Sequence, residues 1–139
     1  MSSFATYRVG DELPGFETEP LTPEWFGRYA IASGDHNPLH TDPAVGRAAG
    51  HGGVIAHGML VMGLLSRVAA HLVGPGALQE FRTRFQEPTR PGDRLRCGGR
   101  ITAIYERDGR TCIEAELWAI GQDGGTRASG SVVAVAPHQ

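Results

Sequence analysis

The chain contains no lysine; all 13 of its basic residues are arginine. That absence excludes Schiff-base chemistry and a Walker-type phosphate loop, both of which need the amine. Basic charge is not in excess either. The formal net charge is -2 and the pI is near 6.3, so no broad nucleic-acid surface is expected. No apolar run approaches the length of a bilayer-crossing helix. The opening MSSFATYRVGDELPG lacks the basic-then-apolar pattern of a secretory signal, so we expect a soluble, cytoplasmic chain. Cysteine is scarce. Cys97 and Cys112 fall on two strands expected to pair, but at non-opposing positions. With Asp108-Gly109 as a two-residue turn, Tyr105 faces Cys112, and two free, buried thiols are expected.

What is present suits one domain over residues 1–139, long enough for a sizeable core at 40% hydrophobic residues. A short lead-in carries one expected strand at residues 4–9. Thr22-Pro23-Glu24 reads as a helix start, with a capping threonine and proline at the first helical position. That helix should run to about residue 32 and bury Trp25, Phe26, Tyr29 and Ala30, with Gly34 as its stop. A second, short helix follows Asp42-Pro43. The segment IAHGMLVMGLLSRVAAHLVG then reads as a helix apolar nearly all round, which belongs in the middle of a fold, and Gly74-Pro75-Gly76 ends it. Four strands follow, at about 78–86, 93–106, 111–120 and 126–136, separated by Pro-Gly-Asp and two Asp-Gly turns. The pattern predicts an α+β fold: an antiparallel sheet of about five strands curled around one long central helix, the hotdog architecture.

Chemistry concentrates at SGDHNPLH, residues 33–40. Gly34 lets the chain leave its helix at positive φ, and Pro38 forbids helix continuation and extends Asn37. Asp35 and His40 are thus displayed from a stiff corner, while Ser33 and Asn37 are placed to bond its backbone. Taken alone, this is either a polar helix-terminating turn or an acid/base pair. Asp35, His36, His40, His51 and His57 are all ligand types, yet their spacings match no familiar zinc pattern, and no metal is expected. Gly58 opens the most buried helix. Its amide has no intrahelical acceptor, and a ligand oxygen can reach it unhindered, as an oxyanion site requires.

Together S-G-D-x-N-P-L-H-x-D (33–42), I-A-H-G-M-L (55–60) and EFRTRFQEPTRPGD (80–93) resemble the MaoC-like (R)-specific enoyl-CoA hydratases and the related 3-hydroxyacyl-thioester dehydratases. The likeness covers most of the chain. It implies Asp35 and His40 as a catalytic dyad, the Gly58 amide as oxyanion donor, and Ser66 as a serine near the active site. It implies a structural role at the helix start for His57 and none for His36. Phe81 and Phe85 are read as core; Arg82 and Arg84 face either a phosphate or solvent.

By this resemblance the chain is a hydro-lyase that reversibly hydrates trans-2-enoyl thioesters of coenzyme A or acyl carrier protein to (R)-3-hydroxyacyl thioesters. It needs no cofactor. It works as a homodimer, or as a heterodimer with another hotdog chain. The rivals are a hotdog acyl-thioester hydrolase and the dehydratase subunit of a heterodimeric fatty-acid or polyketide system.

Overall fold

The computed structural model describes residues 6–72 and 76–136. Strand β1 (Glu12–Glu17) leads into helix α1 (Pro23–Ser33), a 3-10 turn at Pro38–His40, and helices α2 (Pro43–Ala48) and α3 (Gly58–Ala69). Strands β2 (Leu78–Phe85), β3 (Arg96–Arg107), β4 (Arg110–Ile120) and β5 (Thr126–Val135) complete one antiparallel sheet of order β1-β3-β4-β5-β2. Helix α3 packs against β1, β3, β4 and β5, as the hotdog expectation requires.

The helix and turn signals in the sequence act as written. Thr22 accepts from the Trp25 amide at 3.3 Å, Pro23 takes the first helical position, and Gly34 closes α1 at φ 77°. Asp108 (φ 53°) and Gly109 (φ 73°) both lie in the left-handed region, so the β3–β4 hairpin turns in two residues. Tyr105 then pairs with Cys112 and Cys97 with Ala119; both thiols are free and buried. Burial pushes the Cys97 thiol up to about 11.

Three expectations need correction. Residues 6–9, the described part of the strand expected at 4–9, are not a strand. Residues 1–5 lie outside the described residues, and the chain turns at 8–11, where Arg8 N–H meets Asp11 and Gly10 stands at φ 92°. The strand starts at Glu12 and carries Pro14-Gly15 through a bulge, which an edge strand tolerates. Gly15 is needed there, because a Cβ would stand 2.5 Å from the Cys97 carbonyl oxygen. Trp25 is 44% exposed, because the buried stripe of α1 is Phe26 and Ala30, one turn apart, and Trp25 points off it. Finally, α3 is not buried all round. Its core stripe is Val61, Leu64, Leu65, Val68 and Ala69, and Met59 on the far side is 57% exposed. Of the stop signal expected after it, Gly74-Pro75 lies outside the described residues.

Candidate active site

The corner after α1 is held by its own polar side chains. Ser33 Oγ donates to the Tyr29 carbonyl at 2.7 Å and accepts from the Asp35 amide at 3.2 Å. The Asn37 amide donates to Asp35 Oδ1 at 3.2 Å, while Asn37 Oδ1 accepts from the Leu39 amide at 3.0 Å. Asp42 ends the corner by capping α2 through the Ala44 amide. Asp35 is therefore fixed at its backbone and at one carboxylate oxygen, with its side chain 49% exposed.

His40 comes off the 3-10 turn with its side chain only 11% exposed. Its Nδ1 lies 2.8 Å from the Ile55 carbonyl. A carbonyl only accepts, so Nδ1 carries the proton and Nε2 of the neutral ring is bare. That Nε2 stands 4.0 Å from Asp35 Oδ2, too far for a direct hydrogen bond.

Ile55 is also where the chain approaches α3. The Ile55 amide bonds the Leu39 carbonyl, the Ala56 amide bonds the Thr89 carbonyl, and Gly58 then begins the helix. The Gly58 N–H has no acceptor among the described residues, as the first turn of a helix dictates. His40 and Gly58 both line a cavity of about 370 Å³, with Val61 behind them and Phe85, segment 86–89 and Arg127 around it. Asp35 does not line it, but stands beside His40 Nε2.

The structure thus brings Asp35, His40 and Gly58 together, with Ser33 and Asn37 beneath them. Ser66 lies two turns further along α3, outside that lining, with its hydroxyl donating to the Gly63 carbonyl. His36 is exposed. Arg82 ion-pairs with Glu80 at the surface.

Asp35, His40 and His57 each bring one donor atom within 4.8 Å of the others. The two imidazoles are stacked, however, with centroids 3.9 Å apart and planes 24° apart. Stacked rings direct their lone pairs side by side and not at one point. This is a poor cradle for a tetrahedral ion.

Two cavity residues escaped the sequence reading. Phe85 is not core: it is 49% exposed, and its ring would meet a Cβ placed on Gly58 at 3.0 Å. Phe81, by contrast, packs against the core as expected. Arg127 is 6% exposed and holds Asp93, Glu87 and Asp123 at once. A lone arginine at a strand start gives no sign of that. Three scattered carboxylates converge on it only once the sheet is assembled.

Residues 6–120 match the family model of the MaoC like domain. The chain is 36% identical over 110 residues to the mitochondrial 3-hydroxyacyl-acyl-carrier-protein dehydratase of Arabidopsis thaliana, an alignment covering 78% of this chain and 63% of that protein. It spans less than two thirds of the length of such curated relatives. Among solved structures, the unliganded R-hydratase PhaJ1 of Pseudomonas aeruginosa superposes with a TM-score of 0.82 at 25% identity, covering 98% of this chain and 86% of that one. The ChsH1-ChsH2 complex of Mycobacterium tuberculosis shares the fold, with a TM-score of 0.80 at 20% identity, covering 94% and 98% respectively.

Proposed function

Because this chain belongs to the MaoC-like domain family, we propose that it reversibly hydrates a trans-2-enoyl thioester to the (R)-3-hydroxyacyl thioester. One observation carries the reading: His40, whose Nε2 is bare, and Gly58, which opens α3, line one cavity, with the Asp35 carboxylate 4.0 Å from that nitrogen.

In this reaction the thioester carbonyl oxygen accepts from the Gly58 N–H, which stabilises the enolate-like charge that builds as water adds. One such donor contributes about 10²–10³ in rate. The attacking water sits between Asp35 Oδ2 and His40 Nε2, a gap suited to one bridging molecule. His40 Nε2 takes a proton from it, the new O–C3 bond forms, and the imidazolium returns the proton to C2. Asp35 holds the water and balances the transient charge. Acid/base assistance of this kind contributes about 10²–10⁴. Dehydration runs through the same groups in reverse. The (R) outcome is supported by the likeness to the PhaJ1 R-hydratase.

The acyl carrier is coenzyme A or acyl carrier protein, which present the same thioester. The reaction uses no metal or redox cofactor. A second hotdog chain, identical or related, pairs along an edge of the sheet, because β1 and β2 are edge strands with one unpaired side. No helix among the described residues is long and apolar enough to cross a membrane.

Steady-state assays with crotonyl-CoA test the reading. Asp35→Asn and His40→Gln should each reduce loss of enoyl absorbance by at least about 10², with melting curves near wild type. Wild-type rates in both variants would remove the dyad. Free thiol released in step with the enoyl thioester consumed would make the protein a hydrolase, because hydration leaves the thioester intact. Activity lost to a chelator and restored by zinc would overturn the metal-free mechanism.

A further inference from the structure

His57 touches Asp35 and His40 and directly precedes Gly58, and the proposed reaction gives it nothing to do. Its ring is 1% exposed. One face stacks on His40 at 3.9 Å between centroids, and Tyr29 of α1 meets it edge-on at 4.7 Å. Its Nε2 lies 3.1 Å from the Asp35 carbonyl oxygen. Its backbone caps α3 just before Gly58, yet its side chain makes no capping bond, so it is not serving as an ordinary helix-start residue.

The tautomer follows from the partners. The Asp35 carbonyl only accepts, so Nε2 carries the hydrogen and Nδ1 is bare. That Nδ1 is buried and has no hydrogen-bond partner. Protonating it would create a buried donor with no acceptor, and would set a charge against the stacked His40 ring. Both oppose protonation.

We propose that His57 is a positioning residue: a permanently neutral imidazole that fixes the Asp35 backbone through its Nε2–H and backs the His40 ring, so that the reacting proton cycles on His40 alone. The proposal rests on the hydration reading above. Tyr29, Asp35 and His40 are the titratable groups facing it among the described residues. Burial is the main cause holding the His57 imidazole below its ordinary range, helped by His40, while the Asp35 carbonyl bond and carboxylate act the other way. Neutrality has a structural use. Were His57 able to charge, the stacked pair would compete for one proton, and His40 would become a weaker base just where the reaction needs it.

Two measurements decide it. In ¹⁵N-histidine NMR of the wild-type protein, His57 should show the Nε2–H tautomer and any titration should fall below the usual imidazole value of about 6.5. An Nδ1–H signal, or titration near that ordinary value, overturns the proposal whether or not any thioester is hydrated. In crotonyl-CoA assays His57→Phe keeps a ring but loses the donor. Its kcat should fall by about 10², the order that misplacing a reacting group costs, with KM nearly unchanged. His57→Gln, which restores an amide donor, should recover at least tenfold of that loss. A folded His57→Phe with wild-type kcat, or a His57→Gln no better than Phe, sinks the positioning role. If the wild type hydrates no enoyl thioester, the hydration reading fails, and the NMR result still stands or falls by itself.

Discussion

At Gly58 the absence of a side chain and the presence of an N–H can be separated. A Cβ there would sit 3.0 Å from the Phe85 ring, whose free edge can swing aside. Gly58→Ala adds that methyl and keeps the amide. Gly58→Pro adds the same Cβ with two further ring carbons and removes the amide hydrogen, at a first helical position that tolerates proline. His57 before it is already extended, at φ -61° and ψ 135°, as a residue preceding proline must be. Both variants should fold, with melting temperatures close to each other. The proline variant should be slower than the alanine variant by about 10²–10³ in kcat on crotonyl-CoA. Equal rates would mean that the Gly58 amide stabilises no oxyanion. Chain grammar exposes the places of Asp35, His40 and Gly58: a glycine that ends one helix, a proline that stiffens the corner, a glycine that opens the next helix; their reading as a dyad and an oxyanion amide came from the family resemblance. Phe85 was not legible, because its position over Gly58 arises only when the end of β2 meets the start of α3.

Elements were legible where a turn announces them and obscure where the strand itself contains the turn residues. The β3–β4 hairpin rests on Asp108 and Gly109, both at positive φ, and its register follows from the two-residue count. β1 was lost to the sequence because Pro14-Gly15 reads as a break; only its place at the sheet edge, bulged against β3, lets it stand. The Tyr7 hydroxyl bonded to the His71 carbonyl ties the lead-in to the end of α3 instead of extending the ladder. The hairpin gives the cleaner test. Gly109→Ala forces an L side chain to φ 73° and should cost about 1–2 kcal/mol, read as a lower urea midpoint at unchanged slope. No residue of that turn lines the candidate cavity, so kcat should stay at the wild-type value. A fall in kcat would show that the hairpin and the cavity are coupled.

Across the molecule, the buried Arg127 joins pieces that the sequence keeps far apart. Its guanidinium holds Asp93 at 3.2 Å, Glu87 at 2.8 Å and Asp123 at 3.2 Å, and its carbonyl accepts from the Gln86 and Glu87 amides. It therefore fixes the segment whose Thr89 carbonyl anchors Ala56, two residues before Gly58. Asp93 is the partner that cannot recover water, since it is 8% exposed, whereas the Glu87 and Asp123 side chains are more than half exposed. Arg127→Met keeps the stem but strands Asp93, so a loss of about 3 kcal/mol is expected in urea unfolding at pH 7, the low end for breaking a buried pair. The pH dependence has a definite sign. Burial alone would raise the Asp93 carboxyl, but the Arg90 amide, Arg127 and Gln122 outweigh it and hold the group below its ordinary range. A depressed carboxylate contributes stability above its unfolded value of about 3.9, and loses it as pH falls through the folded value. The wild type should therefore weaken steeply below about pH 4. Arg127→Met, having already lost the pairing, should weaken less. The difference between the two should be full at pH 6–7 and narrow on acidification. A constant gap from pH 7 to pH 3 would mean that Arg127 stabilises the protein through packing, and that its charge does not matter.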